Sequence, residues 1–406
     1  ALNECYVFTF DQDVSKAVKG VKQGLEDEGL GDISNQLKTG NGKESPQVRK
    51  ETLKRRDKFK NLPRIFLPSV LHKDASANEG YRKLDYERDI LGGIDWDLIS
   101  FKEQAKYFAF NNELLSRSTT KIDYKQAKDK QGVLDFSDPD KEYVVLGNQN
   151  DLDISFLVRQ LTEVIPNPWQ AMRVLEETLA VFNKRNISQE LVHSNRLELL
   201  KEMKNVLKAQ ALSQSELLFK QKLLSHDISL KLVASSNPDL NWELAQTVEV
   251  NVSENDQVLR RKDGSELEKS LFEKVYESGI NGLEKNSAWY LDKANAVYWW
   301  HRIAVNQREY SIQGWQKQRV YPDLLVCVEE PSSGRYRFSL LETKGEHLKG
   351  SDDTNYKCDL FNLLTEHAQS AFEAGELTMD GVGAGISFRM IMEGDWQQNL
   401  AKEIGS

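Results

Sequence analysis

The fold is decided by the β-rich stretch Tyr321-Pro322-Asp323-Leu324-Leu325-Val326-Cys327-Val328, which the turn Pro331-Ser332-Ser333-Gly334 joins to a second β-rich run ending in Leu341-Glu342-Thr343-Lys344. Two such runs joined by a short polar turn predict a β-hairpin. Because side chains alternate between the two faces of a strand, the glutamate and the lysine of the second run should point the same way. The paired strand should bring the aspartate of the first run beside them.

A cluster of Asp323, Glu342 and Lys344 suits the metal-assisted hydrolysis of a phosphodiester bond. Carboxylate oxygens bind Mg²⁺ while leaving water molecules in its coordination shell, and the ion stabilises the negative charge of the transition state. The lysine would orient the attacking water or help to deprotonate it. Two buried carboxylates without a cation would repel each other, so the site requires a metal ion or the lysine charge. The alternative is a salt bridge between strands with no catalytic role.

The combination of the two motifs is more specific than either motif alone. Pro-Asp dipeptides and acid-x-Lys triplets each occur three times, at 139–140, 238–239, 322–323, 123–125, 202–204 and 342–344. Only the pair 322–323 and 342–344 lies in two β-rich runs that one turn joins. This pair therefore favours a nuclease site.

A third acid can be sought by helical phase in a predicted helix from Ser265 to Ser278. Its apolar residues, among them Leu271 and Val275, define one face, and Glu268 falls at the centre of that face at about 100° per residue. A carboxylate in a buried apolar stripe needs a cation. We therefore predict Glu268 as the remaining metal ligand, with a salt bridge at the end of the helix as the alternative.

This pattern resembles the PD-(D/E)xK nuclease superfamily, in which a helix with an acid precedes a β-meander with Asp and then Glu-x-Lys. The resemblance covers roughly residues 264–395. It implies a restriction-endonuclease-like α/β core in which Asp323, Glu342 and Lys344 are catalytic. It also implies that Asp323, Glu342 and Glu268 bind Mg²⁺, for which Mn²⁺ can substitute.

Further motifs resemble the restriction (Res) subunit of type III restriction-modification enzymes and related DEAD/DEAH helicase–nucleases. In the nuclease region these are Trp299-Trp300-His301-Arg302, Tyr321-Pro322-Asp323 and Glu342-Thr343-Lys344-Gly345-Glu346-His347. Upstream, similarity to the region after the helicase motifs lies in Leu2–Phe8, Leu84–Ile90, Asp95-Trp96 and Ile165–Trp169. The resemblance implies a cytoplasmic DNA endonuclease of a phage-defence system that acts on double-stranded DNA. It further implies a helicase motor and a modification or specificity subunit as partners.

The chain departs from that family in lacking a Gly-x-x-x-x-Gly-Lys-Ser/Thr phosphate-binding loop. Gly40-Asn41-Gly42-Lys43-Glu44-Ser45 has the wrong glycine spacing and a glutamate where a hydroxyl should bind Mg²⁺. We therefore expect no ATP binding by this chain. The first residue is Ala1 rather than Met, and we expect a fragment that lies downstream of a helicase motor.

The length of 406 residues predicts two or three domains at about 150 residues each. We predict a multidomain protein of the α/β and α+β classes. It would contain an α/β post-helicase domain (1–150), a helical connector domain (151–250) and a PD-(D/E)xK nuclease domain (251–406).

Short patterns support this division. A strand at Tyr6–Phe10 precedes a helical stripe, and further β-rich runs occur at Ile65–Val70 and Glu142–Leu146. From about Asp151 to Leu232 the apolar period becomes helical, with a predicted break at Pro166-Asn167-Pro168.

The net charge of −9 excludes a uniformly basic coat for nucleic acid, although it permits a local basic surface. Between Pro46 and Arg64 there are eight Lys or Arg residues and two acids, a local excess of +6. This block is either a solvated surface or a segment that contacts phosphates. No apolar run approaches the roughly 18 residues of a membrane span, so we expect no membrane association. The three cysteines show no zinc-binding spacing.

Several assignments stay open on the sequence alone. The run Trp299-Trp300-His301-Arg302 is more typical of a half-buried strand than of a DNA contact by His301. Lys357, at the start of the next helix, is a candidate for a cation near the scissile phosphate. Cutting both strands with one site per chain requires either two copies or two successive events, and we expect a dimer on DNA. The alternative function is a non-catalytic scaffold that binds DNA and docks a partner subunit, and residue types do not distinguish DNA from RNA cleavage.

Overall fold

The computed structural model describes residues 48–114, 152–232, 240–303, 310–330, 335–373 and 382–405, apart from Pro63, Asn78 and Asn241. The predicted strands at Tyr6–Phe10 and Glu142–Leu146 and the helical stripe that follows the first of them lie outside these residues. The fold is mixed α/β with several small sheets.

The described residues form two compact units. The first combines parts of Ala1–Asp89 and Gln221–Ser406, and the second lies within Ile90–Lys220. The division into the three domains 1–150, 151–250 and 251–406 stays a prediction.

The second unit is helical, as the period of its apolar residues predicts. Its helices are α1 (Lys102–Ala105), α2 (Ile154–Leu161), α3 (Pro168–Lys184), α4 (Gln189–Ser194) and most of α5 (Arg196–Leu224). The predicted break is confirmed between α2 and α3, where the Asn167 side chain accepts a hydrogen bond from the Trp169 amide (2.9 Å) and proline fills the first helical position. The packed core of this unit includes Leu157, Val174 and Leu200.

Three small antiparallel sheets join the early and late segments of the first unit. Their strands are β1 (Val48–Lys54), β2 (Ile65–Leu67), β3 (Ser69–Lys73), β4 (Tyr81–Lys83), β5 (Ile228–Lys231), β6 (Trp242–Leu244) and β7 (Thr247–Ser253). β1 pairs with β7, β2 pairs with β6, and β3 lies between β4 and β5. The β1–β7 and β2–β6 pairs bring together residues that are 175 to 205 positions apart in the sequence.

The largest sheet has the order β11-β10-β9-β8. Its strands are β8 (Val297–Arg302), β9 (Leu324–Glu330), β10 (Arg335–Lys344) and β11 (Val382–Met392). The predicted hairpin is confirmed, because β9 and β10 pair antiparallel with Leu324 opposite Leu341. β10 and β11 pair in parallel, and helix α7 (Asp352–Glu373) supplies the crossover that parallel strands require.

Helices cover both faces of this sheet. Helices α6 (Gly282–Lys293) and α8 (Trp396–Ile404) pack on one face, whose core includes Leu291, Trp300, Val326, Leu341 and Ile404. Helix α7 packs on the other face, where the rings of Phe361 and Phe388 lie 5.8 Å apart. Because Leu341 faces α6 and α8, its neighbour Glu342 faces α7.

The predicted helix from Ser265 to Ser278 is wrong. This segment is irregular and exchanges backbone hydrogen bonds with β8, from the Leu271 amide to the Trp300 carbonyl (2.7 Å) and from the Trp300 amide to the Lys269 carbonyl (2.9 Å). Bonds to a neighbouring strand replace the bonds that a helix would form within itself. The apolar residues of the segment are buried by this pairing and not by a helical face.

Candidate active site

Asp323 is fixed at the end of the hairpin, immediately before β9. Its amide donates to the Leu341 carbonyl (2.8 Å), and its carbonyl accepts from the Ile303 amide (2.8 Å). One carboxylate oxygen, Oδ2, accepts from the amide (2.6 Å) and the hydroxyl (2.7 Å) of Thr343. The aspartate of the first run is thus joined to the Glu-x-Lys triplet of the second, as the hairpin predicts.

Glu342 and Lys344 point to the same side of β10, as the alternation of side chains predicts. Glu342 is 1% exposed and Lys344 is 3% exposed, and Lys344 Nζ lies 3.3 Å from Glu342 Oε1. A second lysine, Lys357 of α7, places its Nζ 2.9 Å from the same oxygen. The structure therefore brings the three predicted catalytic residues together and adds a second buried cation.

Asp323 lies close to two other carboxyl groups, those of Glu342 and Glu284. Burial raises the pKa of the Asp323 carboxyl well above its usual value, and the nearby Glu342 and Glu284 carboxylates raise the pKa further. Burial also raises the pKa of Glu284; Arg302 opposes this rise in pKa and Glu342 adds to it. The three carboxyl groups repel each other when ionised, so the site favours an additional positive charge.

Glu284 is the acid that sequence analysis missed. It lies in the first turn of α6, where its amide donates to the Asn281 side chain (2.9 Å) and its Oε2 accepts from Arg302 Nε (3.3 Å). The side chain is buried with Ser287 and Leu291, which follow at helical spacing on the same face. Helical phase would have found it, had it been applied to α6 rather than to Ser265–Ser278.

Glu268 does not join this cluster. Its side chain is 66% exposed and pairs with Arg261 Nη1 at 2.8 Å, and its amide donates to the buried Asp292 carboxylate. The prediction of a buried carboxylate at this position depended on a helix that does not form. The acids that raise the pKa of Asp323 are Glu342 and Glu284.

His301 is a neutral, packed residue of β8. Burial, together with Arg302 and Arg55, lowers the pKa of His301 to about 3, and its ring lies 5.0 Å from the Phe272 ring. An uncharged imidazole offers no ion pair to a phosphate. The half-buried-strand interpretation therefore accounts for His301 better than DNA contact does.

The basic block between Pro46 and Arg64 divides into structural and exposed residues. Arg55 donates to the carbonyls of Leu244 and Ala245, and Arg64 pairs with Glu243. The exposed cations are Arg49, Lys50 and Lys54 of β1, Lys58 of the short helix Asp57–Phe59, and Lys60 just after that helix. These five side chains remain available to solvent or to phosphates.

Comparisons with known proteins give no assignment: no family model, no curated protein and no solved structure matches the chain. Within the described part of the chain, no three or more His, Cys, Asp or Glu side chains form a group that could hold a metal ion. Across the same residues, no helix is both long enough and apolar enough to span a membrane.

Proposed function

We propose that this chain is the Mg²⁺-dependent DNA endonuclease module of a type III restriction-like helicase–nuclease, with a PD-(D/E)xK catalytic core. The observation that supports this most is the convergence of Asp323, Glu342 and Lys344 at one end of the β9–β10 hairpin. Glu284, on helix α6 before the meander, adds a third acid. Its charge raises the pKa of Asp323, and the charge of Glu342 raises the pKa of Glu284. No ATPase activity is proposed for this chain.

The donor set fits Mg²⁺. This ion uses one or two protein carboxylates and keeps several waters, so Asp323 and Glu342 suffice as protein ligands without a three-residue cluster. The raised pKa of Asp323 indicates a site short of positive charge, which a divalent cation would relieve. When bound, Mg²⁺ would polarise the phosphodiester and lower the pKa of a coordinated water.

The protein's own residues have distinct tasks in this proposal. Thr343 occupies Oδ2 of Asp323 with two hydrogen bonds, which restrain the orientation of the carboxylate. Lys344 would turn its ammonium group to the scissile phosphate or to the attacking water, where it stabilises negative charge. The buried surroundings strengthen that interaction, because few waters screen it.

Double-stranded DNA is the proposed substrate, with a helicase motor and a modification or specificity subunit as partners and a dimer as the active form on DNA. These partners follow from the resemblance to the type III family. The exposed cations of β1 and of the following turn add a surface for phosphate contact.

The test is cleavage of plasmid DNA with Mg²⁺, by the chain alone and with its motor subunit. We expect wild-type protein to cut, and Asp323→Asn and Lys344→Met to reduce the rate by at least about 100-fold, as removal of a transition-state charge contact does. The matched controls are Glu202→Gln and Lys204→Met, which alter the acid-x-Lys triplet of helix α5 and should cut at the wild-type rate.

Two results would contradict the proposal. Equal cutting by wild type and by both site variants would place the chemistry elsewhere. Absence of cutting with the motor present would favour the scaffold function, in which the core binds DNA without hydrolysing it. An RNA substrate tested in parallel separates the two nucleic acids.

A further inference from the structure

Lys357 is a buried lysine that the proposed chemistry does not use. It lies in the second turn of α7, is 2% exposed, and places Nζ 2.9 Å from Glu342 Oε1 and 3.4 Å from Asp353 Oδ2. A buried ammonium group is unfavourable unless opposite charges surround it. These two carboxylates supply that charge.

Lys344 approaches the same two carboxylates from β10, with Nζ 3.3 Å from Glu342 Oε1 and 3.6 Å from Asp353 Oδ2. Two ammonium groups from different elements thus share one glutamate oxygen. The two ammonium groups balance the two carboxylates in charge. If one lysine moves to a substrate, the other still pairs with Glu342.

The geometry identifies Lys357 as the lysine that remains paired with Glu342. Its Nζ is nearer to Glu342 than that of Lys344, and it forms a hydrogen bond at that distance. Its helix is anchored to the sheet one turn and two turns later, through Phe361 against Phe388 and through Thr365, whose hydroxyl accepts from the Phe388 amide at 2.9 Å. Lys344, by contrast, is the last residue of its strand.

We propose that Lys357 is a positioning residue that orients the Glu342 carboxylate from helix α7, so that Lys344 can leave Glu342 for the substrate. This inference rests on the proposed nuclease function. It assigns metal-ligand orientation to Lys357 and phosphate or water contact to Lys344. The two lysines are therefore not interchangeable.

The first test measures Mn²⁺ binding to the full chain by calorimetry in the absence of DNA. Lys357→Met should weaken binding about 10–100-fold, the usual cost of removing a group that orients a metal ligand. Lys344→Met should stay within about threefold of wild type, and Lys204→Met in helix α5 is the control. High Mn²⁺ should restore cleavage to Lys357→Met and leave Lys344→Met inactive.

Equal effects of the two lysine variants on Mn²⁺ affinity would overturn the inference. Tighter Mn²⁺ binding by Lys357→Met would also overturn it, because Lys357 would then compete with the metal. Failure of wild type to bind Mn²⁺ would count against the proposed function instead.

A second measurement, the melting temperature of metal-free protein, tests the inference without Mn²⁺. It also applies if Lys357→Met is too unstable for binding studies. We expect Lys357→Met to lower the melting temperature of metal-free protein strongly in the wild-type background. The same change should have little effect on a Glu342→Gln background, since the neutral amide does not need the ammonium group. Additive effects of the two substitutions would show that Lys357 does not act on Glu342.

Discussion

Asp323 lowers the free energy of unfolding of the metal-free protein when its carboxyl group ionises. Its folded-state pKa is raised, so the folded protein binds this proton more tightly than the unfolded protein does. The free energy of unfolding therefore falls as pH rises from about 3.8, the unfolded value, through the folded-state pKa. Once ionised, the Asp323 carboxylate destabilises the fold unless a cation is bound.

We predict that Asp323→Asn stabilises the metal-free protein at pH 8. The amide oxygen can still accept from Thr343, while the repulsion by Glu342 and Glu284 is removed, and a gain of about 1 kcal/mol corresponds to about 2–4 °C in melting temperature. The difference should shrink towards pH 4. Calorimetric melts with and without Mg²⁺ check this, and Mg²⁺ should raise the melting temperature of wild type only. A variant that melts below wild type at pH 8 would contradict it.

His301 should make the protein sensitive to acid. Its pKa is about 3 in the folded state and near 6.5 when unfolded, so the unfolded state binds the proton first as pH falls. The stability from the neutral ring is present above pH 6.5 and is lost as pH falls towards 3. We predict that His301→Gln loses less stability than wild type between pH 7 and pH 4. Urea midpoints at the two pH values measure this, and parallel losses would refute it.

At the scale of elements, Asp292 explains why the segment after Gly264 is not helical. Its carboxylate is fully buried and accepts from the amides of Glu268 (3.0 Å) and Lys269 (2.7 Å), from the Trp300 indole (3.2 Å) and from Arg261 (2.6 Å). This one side chain of α6 fixes the segment against β8. Sequence periodicity does not reveal such a contact, because the bonded groups are 8 to 31 residues from Asp292 in the sequence.

We predict that Asp292→Ala destabilises the protein by about 3–5 kcal/mol, since it leaves the Trp300 indole and two backbone amides without their acceptor and removes an ionic partner of the half-buried Arg261. Glu268→Ala is the control and should cost less than about 1 kcal/mol, because its ion pair with Arg261 is solvent-exposed. Urea unfolding of both variants makes the comparison. Similar losses would show that Asp292 does not fix the segment.

The two candidate third acids can be separated by matched substitutions. Glu284→Gln should weaken Mn²⁺ binding about tenfold, because it removes one of the charges that attract the ion to Asp323 and Glu342. Glu268→Gln should bind Mn²⁺ as wild type does. Mn²⁺ titration of the two variants decides between the acids, and the opposite order of effects would restore the original assignment of Glu268.

Local patterns predicted the elements whose contacts are local, and they failed where distant contacts decide. Strand alternation and one turn were enough for the hairpin and for the shared side of Glu342 and Lys344. The helix expected at Ser265–Ser278 was wrong, because pairing with β8 outweighs helical periodicity. Glu284 lies outside that segment, in α6, where helical spacing with Ser287 and Leu291 places it on the buried face. The position of Lys357 against Glu342 follows from the packing of α7, which no local pattern specifies.

At the scale of the whole molecule, the net charge of −9 conceals an uneven distribution. Acids accumulate in the hairpin site, where Glu284, Asp323, Glu342 and Asp353 face the cations Arg302, Lys344 and Lys357. A divalent cation would turn that excess of one negative charge into an excess of one positive charge. A site of this kind attracts metal first and a phosphate afterwards.

The most direct test is the stoichiometry of Mn²⁺ bound to the full chain, measured by electron paramagnetic resonance on wild type, Asp323→Asn and the control Glu202→Gln. The proposed site predicts tightly bound Mn²⁺ in wild type and in the control, and none in Asp323→Asn. Wild-type protein that binds no Mn²⁺, or Asp323→Asn protein that binds it equally well, would contradict a metal-dependent nuclease centred on Asp323 and Glu342.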